Sequence, residues 1–246
     1  MEKSDIDLFA WGIYQTDVKK DVLKSSYGCG YYSDDKNLLP EEINSKCNYT
    51  WRRMLALCYS QASSYEKQRR GREYTICKEW LDYNTFKEWY DKNYYELPDY
   101  KVIFSPMCIK KNNTHFCPQL CAFVPTYVVG LLYGNVDSSA EEDKCNGVIK
   151  IKTLNGYSYK CAMNIDPELN GGSDTYYIGT YETEEEAFIS YKIMKELYIK
   201  GVAYHLKDKI SESVYNAMIR WTVERDDNTV KYENTRTRKD LFRLQK

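Results

Sequence analysis

Residues 147–191 read GVIKIKTLNGYSYKCAMNIDPELNGGSDTYYIGTYETEEEAFISY, and their pattern decides the fold of the C-terminal half. Two runs rich in β-branched and aromatic residues meet at Leu154-Asn155-Gly156, and Asn-Gly between such runs marks a hairpin. PELNGGSD forms a second turn and TYYIGTY a third strand. Thr183 then stands as a helix N-cap, with Glu186 three residues on completing a capping box. Glu184, Glu185 and Glu186 suit the positive end of the helix dipole. Ala187, Phe188, Tyr191, Met194 and Tyr198 make the apolar stripe of this helix, and Gly201 is placed as its C-terminal cap. A last helix starts near Ser211, with Val214, Tyr215, Met218 and Ile219 inward. The expected unit, 147–225, is a three-stranded antiparallel sheet packed on a helix, followed by another helix.

Upstream, DSSAEEDKCN is small, acidic and aperiodic, and 137–146 is assigned as a linker. Trp51, Met54, Leu55, Cys58 and Tyr59 fall on one helical face. YTICKEWLDYNTFKEWYDKNYY begins strand-like and turns helical, with Trp80, Tyr83, Trp89 and Tyr90 as its apolar face and Phe86 near the edge. Between these aromatic helices runs the basic segment Lys67-Gln68-Arg69-Arg70-Gly71-Arg72. KVIF and CAFVP read as short strands, and TYVVGLLYG as strand or helix. The segmentation is an extension 1–45, partly extended; a region 46–136; the linker 137–146; the sheet and helix unit 147–225; and a basic tail 226–246. The fold class is α+β, and no internal repeat occurs.

A chain of 246 residues can bury a substantial core. No apolar run approaches the roughly 20 residues of a membrane helix, so no membrane partner is expected. MEKSDIDLFAWGIY carries Asp5 and Asp7 where a secretion leader would be basic and then apolar, so no such signal is expected. Nine cysteines at irregular spacing argue against a disulfide framework and for reduced thiols in a cytoplasm. The formal net charge of −1 excludes global attraction to nucleic acid. Local basic patches remain at 67–72, at Lys110-Lys111 and in the tail. The 25 tyrosines offer contact-surface chemistry.

One dense stretch, Asn113 to Pro125 (NTHFCPQLCAFVP), carries a histidine and two cysteines. With Cys108 it gives Cys108, His115, Cys117 and Cys121, the three thiolates and one imidazole of a structural zinc set. Cys58, Cys77 or Cys145 could replace one ligand. The competing reading is that these cysteines pack as small apolar residues, and no other cofactor is expected. His205 is read as a helix-end residue. No phosphate-binding glycine loop with Lys-Ser/Thr, no His-Glu-x-x-His and no nucleophile elbow occurs.

The ordered pieces Gly147-Val148, Gly156-x-x-Tyr159, Tyr177-Ile178-Gly179-Thr180-Tyr181 and Thr183-x-Glu185-Glu186-Ala187-x-x-x-Tyr191 resemble the ethylene-response-factor (apetala-type) DNA-binding domain over about residues 145–200. Further pieces are similar to bacteriophage HNH-type endonucleases that carry such a domain. They are Trp51-x-x-Met54-Leu55-x-x-Cys58-Tyr59, Thr75-Ile76-Cys77-x-Glu79-Trp80, Phe86-x-x-Trp89 and Cys117-Pro118-x-x-Cys121-x-Phe123-Val124-Pro125. The resemblance implies a ββα-type HNH region before a sheet that lies in the DNA major groove. It also implies a histidine base and one divalent cation held by His, Asp or Asn.

Here the family's acidic entry aligns with Phe104-Ser105-Pro106-Met107, its Gly-Asn with Asn112-Asn113, and its Pro-Glu-Asn/Thr-Cys with Pro118-Gln119-Leu120-Cys121. These residues bind hard cations poorly. His115 is left as the one weak catalytic candidate, and the HNH part is read as degenerate, without nuclease activity. The implied function is a phage-encoded, double-stranded-DNA-binding protein in the host cytoplasm. Its nucleic-acid contacts would be Lys150, Lys152, Tyr157, Tyr159, Asn164, Arg69, Arg70 and Arg72. The alternative is a phage interaction factor that blocks a host defence or regulatory protein, an anti-defence role.

Overall fold

The computed structural model describes residues 23–24, 27, 29–34, 40–69, 71–98, 100–133, 147–154, 156–165, 175–225 and 227. The extension up to residue 22, the linker 137–146, the second turn at 166–174, Arg70, Asn155, Cys145 and nearly all of the basic tail lie outside these residues.

The described chain is α+β and divides into two compact units. Of the described residues, the first takes those up to Tyr94 together with Asn112–Cys121; the second takes Tyr95–Lys111 and those from Ala122 to residue 227. The sequence-based segmentation differs. It keeps 95–111 and 122–133 with the N-terminal region, whereas here they join the unit that holds the C-terminal sheet.

In the first unit β1 (Leu23–Lys24) pairs antiparallel with β2 (Tyr31–Tyr32). A short α1 (Pro40–Ile43) leads to α2 (Lys46–Tyr59), whose N-cap Ser45 accepts a hydrogen bond from the Asn48 amide. α3 (Ser63–Arg69) follows, then β3 (Thr75–Ile76), a 3-10 turn at Glu79–Leu81 and α4 (Tyr83–Asn93). β3 runs parallel to β5 (His115–Phe116).

Aromatic rings fill this unit. Tyr32, Trp51 and Tyr83 form a triangle with centroids 5.1 to 5.3 Å apart. The Trp51 indole donates to the Trp80 carbonyl at 2.8 Å, and Asn48 donates to the Tyr32 hydroxyl at 2.9 Å. Asp82 caps α4 through the Asn84 amide and also accepts from the amide and hydroxyl of Ser33.

Two sequence assignments change in this unit. Trp80 sits in the 3-10 turn, so the buried face of α4 is Tyr83, Phe86 and Tyr90 at steps of three and four, and Trp89 is only half-buried. Tyr59, the last residue of α2, is exposed where an inward position was expected.

In the second unit β4 (Val102–Ser105) pairs antiparallel with β6 (Ala122–Pro125), and α5 (Thr126–Tyr133) follows at once. This settles TYVVGLLY as a helix; Thr126 anchors its start by donating through amide and hydroxyl to the Lys101 carbonyl. The C-terminal sheet has order β7 (Val148–Thr153), β8 (Gly156–Asn164), β9 (Thr175–Tyr181), all antiparallel. It packs on α6 (Glu184–His205), and α7 (Glu212–Ile219) packs on α6.

The capping box at Thr183 and Glu186 is formed. Gly201 is not the C-cap: α6 runs one turn further to His205, and Val202, Ala203 and Leu206 are buried beyond it. That burial offsets the cost, about 1 kcal/mol, of a glycine inside a helix. In α7 Val214, Ala217 and Met218 are buried, while Tyr215 and Ile219 are half-buried.

Val148, Cys161 and Met163 meet Ala187, Phe188 and Tyr191 in the core of this unit. Gly147 opens β7 at φ 72°, and a Cβ there would lie 2.1 Å from the Tyr191 ring. Both the left-handed backbone and the ring above it demand glycine. We predict that Gly147→Ala destabilises the protein by about 3 kcal/mol or more, measured by urea unfolding.

Lys195 of α6 is only 6% exposed, and burial lowers its pKa from 10.5 to about 8. Between these values the unfolded chain binds the extra proton, so this lysine makes stability rise with pH there; below about pH 8 its full penalty is present. Lys195→Met is expected to stabilise the protein at pH 7 by about 2 kcal/mol. The advantage over wild type should shrink as pH rises to 10, tested by unfolding both proteins at each pH.

Candidate nucleic-acid interface

The proposed contact residues do not share one surface. Val148 pairs with Cys161, Lys150 with Tyr159, and Lys152 with Tyr157. Paired residues project to the same side of a sheet, and so do residues two apart. Lys150, Lys152, Tyr157 and Tyr159 therefore stand on the side of Val148 and Cys161, the side that α6 covers. The other side carries Ile149, Ile151, Ser158, Lys160 and Asn164. Asn164 is thus separated from the two lysines by the sheet itself.

The covered side is not covered along its whole length. β9 pairs with β8 only from Tyr159 to Asn164. Ile151–Thr153 and Gly156–Ser158 therefore form a two-stranded ribbon beyond the third strand. From Ile149 to Leu154 every residue is exposed, on both faces. Leu154 at the tip is 105% exposed. The Lys150 ammonium lies 4.2 Å from the Tyr157 ring centroid and 6.0 Å from that of Tyr159, a cation–π arrangement that holds the lysine along the ribbon. On the opposite face Lys160 lies over Tyr177 at 5.3 Å, and the Tyr177 hydroxyl meets that of Thr180 at 2.7 Å. Lys160 and Tyr177 were not singled out from the sequence. A β-bulge at Cys161/Ala162 sets which β9 residues face outward, and alternation alone does not reveal it.

The basic loop behaves differently from expectation. Arg69 is 7% exposed and donates to the Leu57 carbonyl at 3.1 Å. It ties α3 to the last turn of α2, whose carbonyls lack helical partners, which gives this buried arginine a structural role. Arg72 is half-buried. Arg70 lies outside the described residues. Lys111 forms an ion pair with Asp227 and donates to the Thr222 carbonyl at 2.7 Å, which removes it from the basic patch.

The positions that the resemblance aligns with an HNH motif do structural work. Ser105 is buried and its Oγ accepts from the Met107 amide and the Cys108 thiol, both at 3.3 Å. Asn112 takes a left-handed turn at φ 58°. Asn113 is buried, donates its amide to the His115 carbonyl at 2.8 Å and accepts from the His115 N–H at 3.2 Å. Both ends of that side chain are thus spent on the turn. His115 Nδ1 lies 2.8 Å from the Thr75 hydroxyl, a contact that joins β3 and β5. α5, TYVVGLLY, carries no His, Asn, Asp or Glu. These groups do not fit the hard divalent cation that the family resemblance implies, and no catalytic step is derived through one.

The zinc set is not assembled either. Among the described residues no group of three or more His, Cys, Asp and Glu is placed to hold a metal ion. Cys108 is fully buried in the core of the second unit, where burial pushes its thiol up to about 11. Cys117 and Cys121 are buried in the first unit, near Cys77 and Cys58. Burial raises the Cys121 thiol well above its ordinary value, with neighbouring thiols adding to the effect. Cys108 and Cys121, whose thiols burial keeps protonated, pack as small apolar side chains.

Among the described residues no helix is long and apolar enough to cross a membrane. Comparison with family models, curated proteins and solved structures finds no match to this chain.

Arg69→Ala should therefore lower stability by about 1–3 kcal/mol through the orphaned Leu57 carbonyl and leave nucleic-acid affinity unchanged. Urea unfolding and a DNA titration at the same salt separate the two effects. A loss of DNA affinity without loss of stability would return Arg69 to the interface.

Proposed function

We propose that this chain is a double-stranded-DNA-binding protein that engages the duplex with the β7–β8 hairpin. It would be phage-encoded, act in the host cytoplasm and derive from an HNH endonuclease-like ancestor without nuclease chemistry. One observation carries this reading. Residues 147–164 hold three lysines, Lys150, Lys152 and Lys160, and no aspartate or glutamate, and they include a two-stranded ribbon exposed on both faces. The B-DNA major groove admits such a ribbon, and lysines on both faces would meet the phosphates that line its walls. Tyr157 adds an exposed ring with a hydroxyl beside Lys150. With lysines and no arginine in the hairpin, the binding is governed by phosphates and weak in sequence preference.

Binding should weaken steeply with salt. Replacing Lys150 and Lys152 together by alanine should lower affinity about tenfold near 0.1 M salt and flatten the log–log salt slope by about two. Fluorescence anisotropy on a labelled duplex measures both quantities. Absence of binding at low salt, or an unchanged slope in the double variant, sinks the proposal.

A second reading rests on the other face. Ile149 and Ile151 are 60% and 40% exposed and Tyr177 53%, chemistry that fits a protein partner such as a host defence or regulatory protein. Capture of a host protein from nuclease-treated lysate, abolished by Ile149→Glu with Ile151→Glu, would favour it over DNA.

A further inference from the structure

α6 carries a second surface that its packing does not use. Its inner face meets the sheet and α7, yet Ile189, Ile193, Leu197 and Tyr204 are 45%, 53%, 58% and 65% exposed. With 3.6 residues per turn, Glu186, Ile189, Ile193, Leu197, Lys200 and Tyr204 fall in one narrow strip along the helix. Tyr204 meets the Tyr215 ring of α7; the remaining three large apolar side chains, in line on a charged helix, are not the scattered singles that a monomer surface tolerates.

The order of the strip identifies what covers it. About Ile193 it is self-complementary. Ile189 and Leu197 lie four residues to either side, and Glu186 and Lys200 seven residues to either side. In an antiparallel two-fold contact each residue meets its mirror position. Ile193 then meets Ile193, Ile189 meets Leu197, and Glu186 meets Lys200 of the second copy. Ile189, Ile193 and Leu197 match, and the charges at Glu186 and Lys200 are opposite, which a two-fold interface requires of a single surface. A parallel arrangement would bring like charges together. The antiparallel one also opposes the helix dipoles favourably. Both charged residues already have local company: Glu186 accepts from the Thr183 hydroxyl and amide, and Lys200 lies near Glu196. Both stay at the surface in position to reach across.

We propose that the chain forms an antiparallel homodimer through the Ile189–Ile193–Leu197 strip of α6, closed at each end by a Glu186–Lys200 pair between copies. This rests on the helix surface alone and is independent of DNA binding.

Sedimentation equilibrium of the full chain over its soluble concentration range tests the proposal. Wild type should show a reversible monomer–dimer equilibrium. Ile193→Glu places two carboxylates on the axis and should weaken association about tenfold or more; because the site is exposed, its far-ultraviolet spectrum should match wild type, and so should its melting point at concentrations where both are monomeric. Glu186→Lys and Lys200→Glu should each weaken the dimer, and their combination should restore it, a rescue that neither loss of the capping box nor general damage can produce. A monomer at every concentration, a dimer indifferent to Ile193→Glu, or a double swap no better than the single changes would overturn it.

Discussion

The burial of Cys161 and Met163 against α6 is the constraint on which the C-terminal unit depends. Side chains alternate along a strand, so fixing these two residues inward fixes the side of every other residue on β8 and, through the pairing, on β7. Lys150 and Lys152 go with Cys161, while Ile149, Ile151 and Lys160 go outward. A slip of one residue would exchange the two sets. Tyr191 locks the register from the helix side, because its ring occupies the space where only Gly147 can sit. The bulge then lets β9 keep Ile178 packed on the core and Tyr177 on the outer face. Position on the ribbon follows from packing inside the domain, before any ligand is considered.

Local chemistry was legible in the sequence; long-range competition was not. The capping box of Thr183 and Glu186 and the Gly156 turn depend on neighbours within a few residues, and both are found where the residues indicate. The end of α6 is different. Gly201 is a reasonable stop on local grounds, but Val202, Ala203 and Leu206 have core partners that carry the helix past it. Trp80 likewise reads as a helical position by spacing, yet its carbonyl is claimed by the Trp51 indole from α2, and the chain turns there in a 3-10 geometry. The buried face of α4 shifts to Phe86 as a result.

The candidate site was less legible because residue type was a poor guide to employment. His115 read as zinc or acid–base chemistry, and it is engaged with Thr75 and Asn113 in holding a strand pair and a turn together. Arg69 and Lys111 read as phosphate contacts, and each is committed to carbonyls or to Asp227. What survives is the group with no internal employer. Lys150 and Lys160 of the hairpin lie over tyrosine rings, which leave their charge at the surface.

Net charge misleads for the same reason. A formal charge of −1 over the whole chain averages regions of opposite sign. The first turn of α6 carries Glu184 and Glu185, and both are paired with Arg225, whose guanidinium also lies over the Phe188 ring. Arg225 thus offsets part of that negative charge within the domain. The hairpin has no carboxylate to do the same, so its positive field is uncompensated where it projects into solvent. Within a Debye length of about 8 Å at physiological salt, a phosphate responds to the nearby lysines and not to the sum over the chain. A nearly neutral protein can therefore present a cationic ribbon to DNA, while the apolar strip on α6 remains available for a second copy.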